Sequence, residues 1–344
     1  MRRWLLDLLA CPDCAGDAAL RLLDETTDGD EIVTGQLVCN RCARHWPIER
    51  GIPRFAGPAE DYATAFGWQW RRWRAVQIDH LNGHRFSEQR LLADSGWARD
   101  WFAGRVILDA GCGAGRFSDV MGELGARVVA VDLSAAIDAC RETCARHDGR
   151  VQCLQASIYA LPLRKSAFDA VHCAGVIQHT PDPARTMTAL PVHLRPGGRL
   201  AYNFYEQSWS RRLQLVKYAL RVVTPHLAPG VLLALCRTLV ALFFPFTLML
   251  SRVRFVRYIT RFVPICATHW PGLSVAEQYT WTLLDTFDWY NPRYEQAQDH
   301  RAVARLLAGA GLADVFAAPG IARARRPESA ASGPEAAHAP AQPV

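Results

Sequence analysis

Net charge is the first thing this sequence has little of. Its 344 residues carry 39 Lys+Arg against 33 Asp+Glu, a formal charge of +6, too small an excess to name nucleic acid as a partner by electrostatics alone. Low-complexity character is lacking too. Half of the residues are hydrophobic and 21% are charged, which excludes a wholly disordered or collagen-like chain and leaves room for roughly two domains with sizeable cores. An even cysteine count is also missing: there are 11, so complete internal pairing is impossible. Cys112, Cys140, Cys144, Cys153, Cys173 and Cys236 lie in apolar or Ala-rich runs, where cysteine packs as a small hydrophobe, and a reduced, cytoplasmic setting is expected. A secretory core is absent as well. Met1-Arg2-Arg3 followed by Trp4 to Ala10 and Cys11 imitates a lipoprotein signal, but the apolar stretch is short and interrupted by Asp7, too polar for export.

What is present begins with Cys11-Pro12-Asp13-Cys14 and Cys39-Asn40-Arg41-Cys42. Two such knuckles supply four thiolates, the ligand set of a tetrahedral structural Zn2+. Between them, Ala19 to Leu23 and Glu31 to Val38 read as strands around a turn-rich Asp24 to Asp30. Redox pairs or unrelated surface thiols are the alternative. With the trailing Trp46-Pro47-Ile48 and Gly51-Ile52-Pro53, residues 5–55 resemble the Trm112-like zinc ribbon. The resemblance implies a structural or partner-binding module without chemistry of its own. Downstream, Asp61 to Gly104 interleaves Trp68, Trp70, Trp73, Trp97 and Trp101 with Arg71, Arg72 and Arg74. Such a stretch either stacks on bases or packs its indoles on the next domain, the reading favoured here.

Val106-Ile107-Leu108 then runs into Asp109-Ala110-Gly111-Cys112-Gly113-Ala114-Gly115, with a helical pattern following from Arg116. Strand, glycine turn and helix open a doubly wound α/β domain. The dinucleotide pattern G-x-G-x-x-G is absent, because Arg116 stands where the third glycine would be. Alternate glycines let the backbone approach a ligand closely, and the Asp109 carboxylate can attract a cationic amine or sulfonium indirectly, which suits S-adenosylmethionine. Asp132, 23 residues after Asp109, ends a second strand and is placed to accept both ribose hydroxyls. Further strands are expected at 151–156, 168–173 and 199–205, with a helix over 183–194.

The series D-A-G-C-G-A-G-R-F, V-D-L-S, A-L-P, F-D-A-V, G-V-I-Q-H-T-P-D and R-P-G-G-R-L resembles a class I S-adenosylmethionine-dependent methyltransferase of the bacterial small-molecule type, over residues 105–206. The resemblance implies a Rossmann-like, mostly parallel seven-stranded sheet of order 3-2-1-4-5-7-6, closed by a helix over 300–310 and strands at 313–317 and 321–325. It implies cofactor contacts from Asp109, Gly111, Cys112, Gly113, Gly115, Asp132, Leu133, Ser157, Ile158 and Gly175. Ser157 stands where the family often has Asp for the adenine amino group. The loop Gly175 to Thr180 is expected beside the transferred methyl, with His179 as the candidate base and Gln178 and Tyr205 as candidate acceptor contacts. No Asn-Pro-Pro-Tyr tetrapeptide of amino-directed nucleic-acid methylation follows the fourth strand.

Acidic residues are absent from Gln207 through Ala276, a window holding nine basic ones. Inside it, Val231 to Leu250 is almost wholly apolar, interrupted by Arg237 and Pro245. Length alone would allow a membrane span, but a central Arg costs ~2.5–3.5 kcal/mol. An amphipathic element on an anionic membrane surface or a buried cap over the acceptor fits better. Asp285 to Tyr294 is expected to line the acceptor pocket, with Tyr290 and Tyr294 nearest.

The expected divisions are a zinc ribbon (1–57), a helical connector covering the cofactor site (58–104), a methyltransferase core (105–206), a cationic apolar insert (207–299), closing elements (300–325) and a disordered tail (326–344). The function expected is methyl transfer to a hydrophobic or lipid-linked small molecule, in the cytoplasm or peripherally on the inner face of a membrane. An rRNA or tRNA methyltransferase and a non-catalytic cofactor-binding adaptor are the other readings.

Overall fold

The computed structural model describes residues 1–14, 17–56, 63–251 and 262–328. Arg252, Arg254, Arg257 and Arg261 of the cationic window, and the tail from position 329, lie outside these described residues.

The N-terminal module comprises a short helix α1 (Arg3–Leu6) and a four-stranded antiparallel sheet, β1 (Leu20–Asp28), β2 (Glu31–Cys39), β3 (His45–Glu49) and β4 (Ile52–Pro53). The expected long turn is shorter than the sequence implied. β1 continues through the β-branched Thr26 and Thr27, with irregular register around Leu23 to Thr27, so only Gly29 and Asp30 turn the chain. The module has no separate core. Leu5, Leu9, Ile32, Leu37 and Ile48 are continuous with Leu154, Ala156 and Leu163 of the larger domain. Each buried aliphatic side chain contributes about 1.5–3 kcal/mol, so this shared core fastens the module firmly. Backbone hydrogen bonds reinforce it: Ala10 N–H to the Pro162 carbonyl (3.0 Å), Arg164 N–H to Leu8 (2.8 Å) and Phe55 N–H to Gln155 (2.8 Å).

Three helices follow, α2 (Thr64–Gln77), α3 (Asp79–Asn82) and α4 (Phe86–Ser95). Gly96 in the left-handed region ends α4. The indoles here pack within protein: Trp73 and Trp97 are buried, and Trp68 stacks on Phe287 at 5.3 Å.

The core alternates β5 (Val106–Ala110), α5 (Arg116–Glu123), β6 (Arg127–Asp132), α6 (Ala136–Cys144), β7 (Val151–Gln155), β8 (Phe168–Ala174), α7 (Pro183–Ala189) and β9 (Leu194–Asn203). Helix α7 is shorter than expected because Pro191 has no N–H to continue the ladder, and Leu190–His193 forms a 3-10 turn. The chain then passes through α8 (Trp209–Arg212), α9 (Leu215–Arg221), α10 (Pro229–Ser251) and α11 (Val275–Tyr290), and returns as α12 (His300–Gly309), β10 (Ala313–Ala318) and β11 (Ile321–Arg325). The sheet order is β7-β6-β5-β8-β9-β11-β10, which is 3-2-1-4-5-7-6 in core numbering. β11 alone runs antiparallel to its neighbours. This is the α/β, Rossmann-like architecture expected, with the helical insert after the fifth strand. The strand order reverses between β5 and β8, and that crevice is where open α/β sheets bind ligands.

Candidate active site

A cavity of about 240 Å³ opens at the carboxyl ends of β5, β6, β8 and β9. Gly111, Cys112 and Gly113 form its floor, Asp132, Leu133 and Ile158 one end, and Gly175, Val176, His179, Asn203 and Tyr205 the other. The glycine turn needs its glycines. Gly111 has φ +78° and a side chain there would collide with Val176; a Cβ at Gly113 would lie 3.2 Å from the Trp70 indole nitrogen. Trp70 belongs to α2, so that helix roofs the glycine turn.

Asp132 is held by design of the loop. One carboxylate oxygen accepts from the Gly113 N–H (2.9 Å), the other from the Ser134 N–H (2.8 Å) and hydroxyl (2.7 Å). Burial pushes its carboxyl above the ordinary aspartate range against these donors. Asp109, by contrast, does not line the cavity. It is buried beneath the turn, with both oxygens engaged by the Ser118 hydroxyl (2.5 Å) and His172 Nδ1 (2.8 Å). Its service to a ligand is therefore to fix the turn. Gly115 likewise sits below, where a Cβ would lie 2.9 Å from Cys140 Sγ. Ser157 caps the next turn, accepting from the Tyr159 N–H, and Ile158 lines the cavity instead.

His179 lines the cavity with its orientation fixed. Its Nδ1 lies 2.9 Å from the Tyr294 carbonyl. A carbonyl only accepts, so Nδ1 carries the proton and Nε2 of the neutral ring keeps a lone pair. Burial lowers the pKa below the usual histidine value, which preserves the neutral form. A buried cationic strap holds that carbonyl in place: Glu295 receives Lys217 Nζ (2.6 Å) and Arg211 Nη1 (3.0 Å), while Arg221 Nη2 donates to the Pro292 carbonyl (2.9 Å). Part of the insert therefore serves to position the loop opposite His179.

The acidic, aromatic segment after the insert does reach the cavity, but through other residues than expected. Asp285 and Asp288, three apart on α11, face it. Tyr290 falls on the opposite helical face, buried with Trp73 and Leu232, its hydroxyl donating to the Pro264 carbonyl (2.9 Å). Tyr294 contributes its carbonyl, and its ring does not line the cavity. Gln178 is fully buried outside the cavity, its side-chain amide without a partner among the described residues. Tyr205 is in place, its hydroxyl donating to Asp288 (3.1 Å) and its ring 5.4 Å from His179. Gln69 of α2 donates to the other oxygen of Asp288 (2.8 Å). Burial raises the Asp285 carboxyl to about 6. Beside it stand Arg90 and Arg116, the latter lowered to about 9 by burial, with one guanidinium nitrogen unpartnered among the described residues. Sequence reading missed Gln69, Arg90 and Arg116, and within the Asp285 to Tyr294 segment it set Tyr290 and Tyr294 nearest where Asp285 and Asp288 line the cavity. The two acids at helical spacing inside Leu-Leu-Asp-Thr-Phe-Asp-Trp-Tyr were the available signal.

In the first module the sulfur atoms of Cys11, Cys14, Cys39 and Cys42 all lie within 4.8 Å of one another. Cys11 to Cys42 is 3.7 Å and Cys14 to Cys39 is 3.8 Å, close to the ~3.8 Å edge of a tetrahedron with Zn–S bonds of ~2.3 Å. Burial opposes ionisation of Cys39, yet N–H donation from Cys42 and Arg41 brings its thiol down to about 6. The donor set fits Zn2+.

The sheet order, the glycine turn and the four-cysteine cluster are those of a class I methyltransferase fold preceded by a Trm112-like module. Residues 108–202 match the family described as "Methyltransferase domain" and residues 2–51 the family "Trm112p-like protein". Among curated relatives, the mitochondrial ubiquinone biosynthesis O-methyltransferase of Schizosaccharomyces pombe is 33% identical over 132 residues, covering 36% of this chain and 48% of that protein. The ubiquinone biosynthesis O-methyltransferase of Xanthomonas oryzae pv. oryzae is 38% identical over 109 residues, covering 30% and 44%. The chain thus spans about half, or less, of the length of these relatives. Among solved structures, magnesium protoporphyrin IX methyltransferase of Synechocystis aligns over 77% of this chain and 97% of its own, at 16% identity and a TM-score of 0.43.

Proposed function

We propose that this protein transfers a methyl group from S-adenosylmethionine to a hydrophobic or lipid-linked small molecule. The observation that carries this reading is the convergence, in one cavity, of the glycine turn, Asp132 and a histidine whose Nε2 is left free to accept a proton. The cofactor supplies an activated methyl on a sulfonium. Gly111, Cys112, Gly113 and Gly175 would border it closely, Asp132 would accept from the ribose hydroxyls, and Leu133 and Ile158 would flank the adenine. Asp109, Gly115 and Ser157 act one layer below by holding these elements.

The relatives at 33% and 38% identity are O-methyltransferases, which favours a hydroxyl acceptor over nitrogen or carbon. A hydroxyl must lose its proton as the oxygen–methyl bond forms. His179 Nε2 takes that proton in this reading, and the Tyr294 carbonyl steadies the resulting imidazolium. Tyr205, Asp285 and Asp288 border the acceptor space. Phe66, Trp70 and Phe117 supply apolar walls that exclude water.

In this proposal the chain divides as its sequence implied: ribbon, connector, core, insert and closing elements. Cys11, Cys14, Cys39 and Cys42 hold a structural Zn2+. The test is incubation of the full chain with methyl-labelled cofactor and fractionated cell extract. Label is expected in the lipid fraction. Label confined to RNA, or to no fraction, would overturn the proposal.

A further inference from the structure

Helix α10 is apolar on both faces. By length and composition it could cross a membrane, with a mean hydropathy of 2.1, yet only 33% of that apolar window is buried. Leu232, Leu233, Cys236, Val240, Phe244 and Thr247 form the inner stripe. They pack toward Trp73, Leu284, Phe287 and Tyr290 at one end and Ile265 at the other. The outer face repeats at helical spacing through Val231, Thr238, Leu242, Phe246 and Met249, with Leu242 67% and Met249 61% exposed. The outward face of a helix on a water-soluble domain is normally polar. The same insert exposes Trp209 (79%) and Val222 (74%). Apolar side chains of this size, displayed repeatedly along one insert, mark an interaction surface.

Charge identifies the occupant. The window from Gln207 through Ala276 has nine basic residues and no acid; Arg211, Lys217 and Arg221 are taken up by Glu295, and Arg237 is exposed on the flank of α10, about 100° round from Thr238. A second copy meeting this face would bring the Arg237 cations together, and α10 carries no carboxylate to relieve them. Spanning is excluded by the inner stripe, because a helix surrounded by lipid would have to abandon its contacts with α11. We propose that the outer face of α10 docks on an anionic lipid bilayer, the helix lying in the surface plane. Its large apolar residues enter the acyl boundary, Arg237 reaches back to the headgroups, and the inner stripe stays on the protein. The inference deepens the lipid-linked reading of the acceptor and rests on it for its use, whereas the surface can be assayed without turnover.

The experiment is flotation of the full chain with vesicles of phosphatidylcholine alone or enriched in phosphatidylglycerol. Binding to the anionic vesicles is expected to be at least about tenfold tighter and to weaken with salt. The triple variant Leu242→Ser, Phe246→Ser, Met249→Ser should lose at least about tenfold of it. Its fold is checked by thermal melting and by unchanged affinity for S-adenosylhomocysteine. Three results would overturn the proposal. They are a wild-type chain that stays in solution beside anionic vesicles, a triple variant that floats as well as wild type, and self-association abolished by the same substitutions. Loss of S-adenosylhomocysteine binding with flotation intact would count against the proposed function alone.

Discussion

Replacing Asp132 tests the cofactor reading most directly. Its two oxygens receive three hydrogen bonds within the protein, from Gly113 N–H, Ser134 N–H and the Ser134 hydroxyl. Two further bonds to ribose hydroxyls would be charge-assisted, worth about 1.5–3 kcal/mol each. Asp132→Ala removes these and leaves the Gly113 N–H, in the floor of the cavity, without its acceptor. A loss of about 3–5 kcal/mol follows, or roughly 10²–10⁴ in Kd. Asp132→Asn keeps one carbonyl oxygen and should fall between. Ser134→Ala removes only the hydroxyl donor and should cost about 1 kcal/mol, a few-fold in Kd. Titration calorimetry with S-adenosylhomocysteine measures all three. The wild-type carboxyl titrates above the ordinary aspartate range near ~3.9. Affinity should therefore begin to fall at a higher pH on acidification than an exposed carboxylate would allow. An Asp132→Ala chain that binds within threefold of wild type (about 0.7 kcal/mol) would refute the assignment.

His179→Ala should lower kcat by about 10²–10⁴ while leaving S-adenosylhomocysteine affinity intact; undiminished turnover removes it as base. Because burial lowers its pKa, the acid limb of the wild-type rate profile should lie below ~6.5. Asp285, raised to about 6, binds its proton more tightly folded than unfolded. Stability should fall as pH rises from ~4 to ~6, so Asp285→Asn should gain about 2 kcal/mol at pH ~8 and nothing at pH ~4 in urea unfolding. Lys217→Met should destabilise by about 3 kcal/mol, since it strips the 2.6 Å partner from buried Glu295; a melting temperature equal to wild type contradicts the strap. Metal analysis should find one Zn2+ per chain, and Cys39→Ser should release it.

The sheet was legible because its evidence is local. β5 runs into a turn whose chemistry is written beside it, Asp109 to Gly115. The two cysteine pairs were legible for the same reason. The acceptor end was not, because it is assembled from elements far apart in the chain. Asp288 meets Gln69 and Tyr205 across 219 and 83 residues. Choosing Tyr290 over Asp288 was an error of helical phase: two residues along an α-helix turn the side chain roughly 200°. Asp109, expected to act on a ligand indirectly, shows the same limit. Its position at the end of β5 was sound, but nothing local announced that Ser118 and His172 would occupy both oxygens.

The contact between the N-terminal module and β7 bears on aggregation. β7 is one border of the large sheet, and an open border is a template for unwanted pairing with another chain. Here Arg54 bridges to Gln155, and the Phe55 N–H satisfies the Gln155 carbonyl. The opposite border, β10, is irregular: its register with β11 shifts between Ala313 and Phe316, and Asp314 adopts φ +53°. Were Zn2+ bound at the four-cysteine site and then withdrawn, the cover over β7 would loosen and bare the edge of Val151–Gln155. A chain deprived of zinc should therefore precipitate by edge-to-edge association, at protein concentrations where the intact molecule stays dispersed.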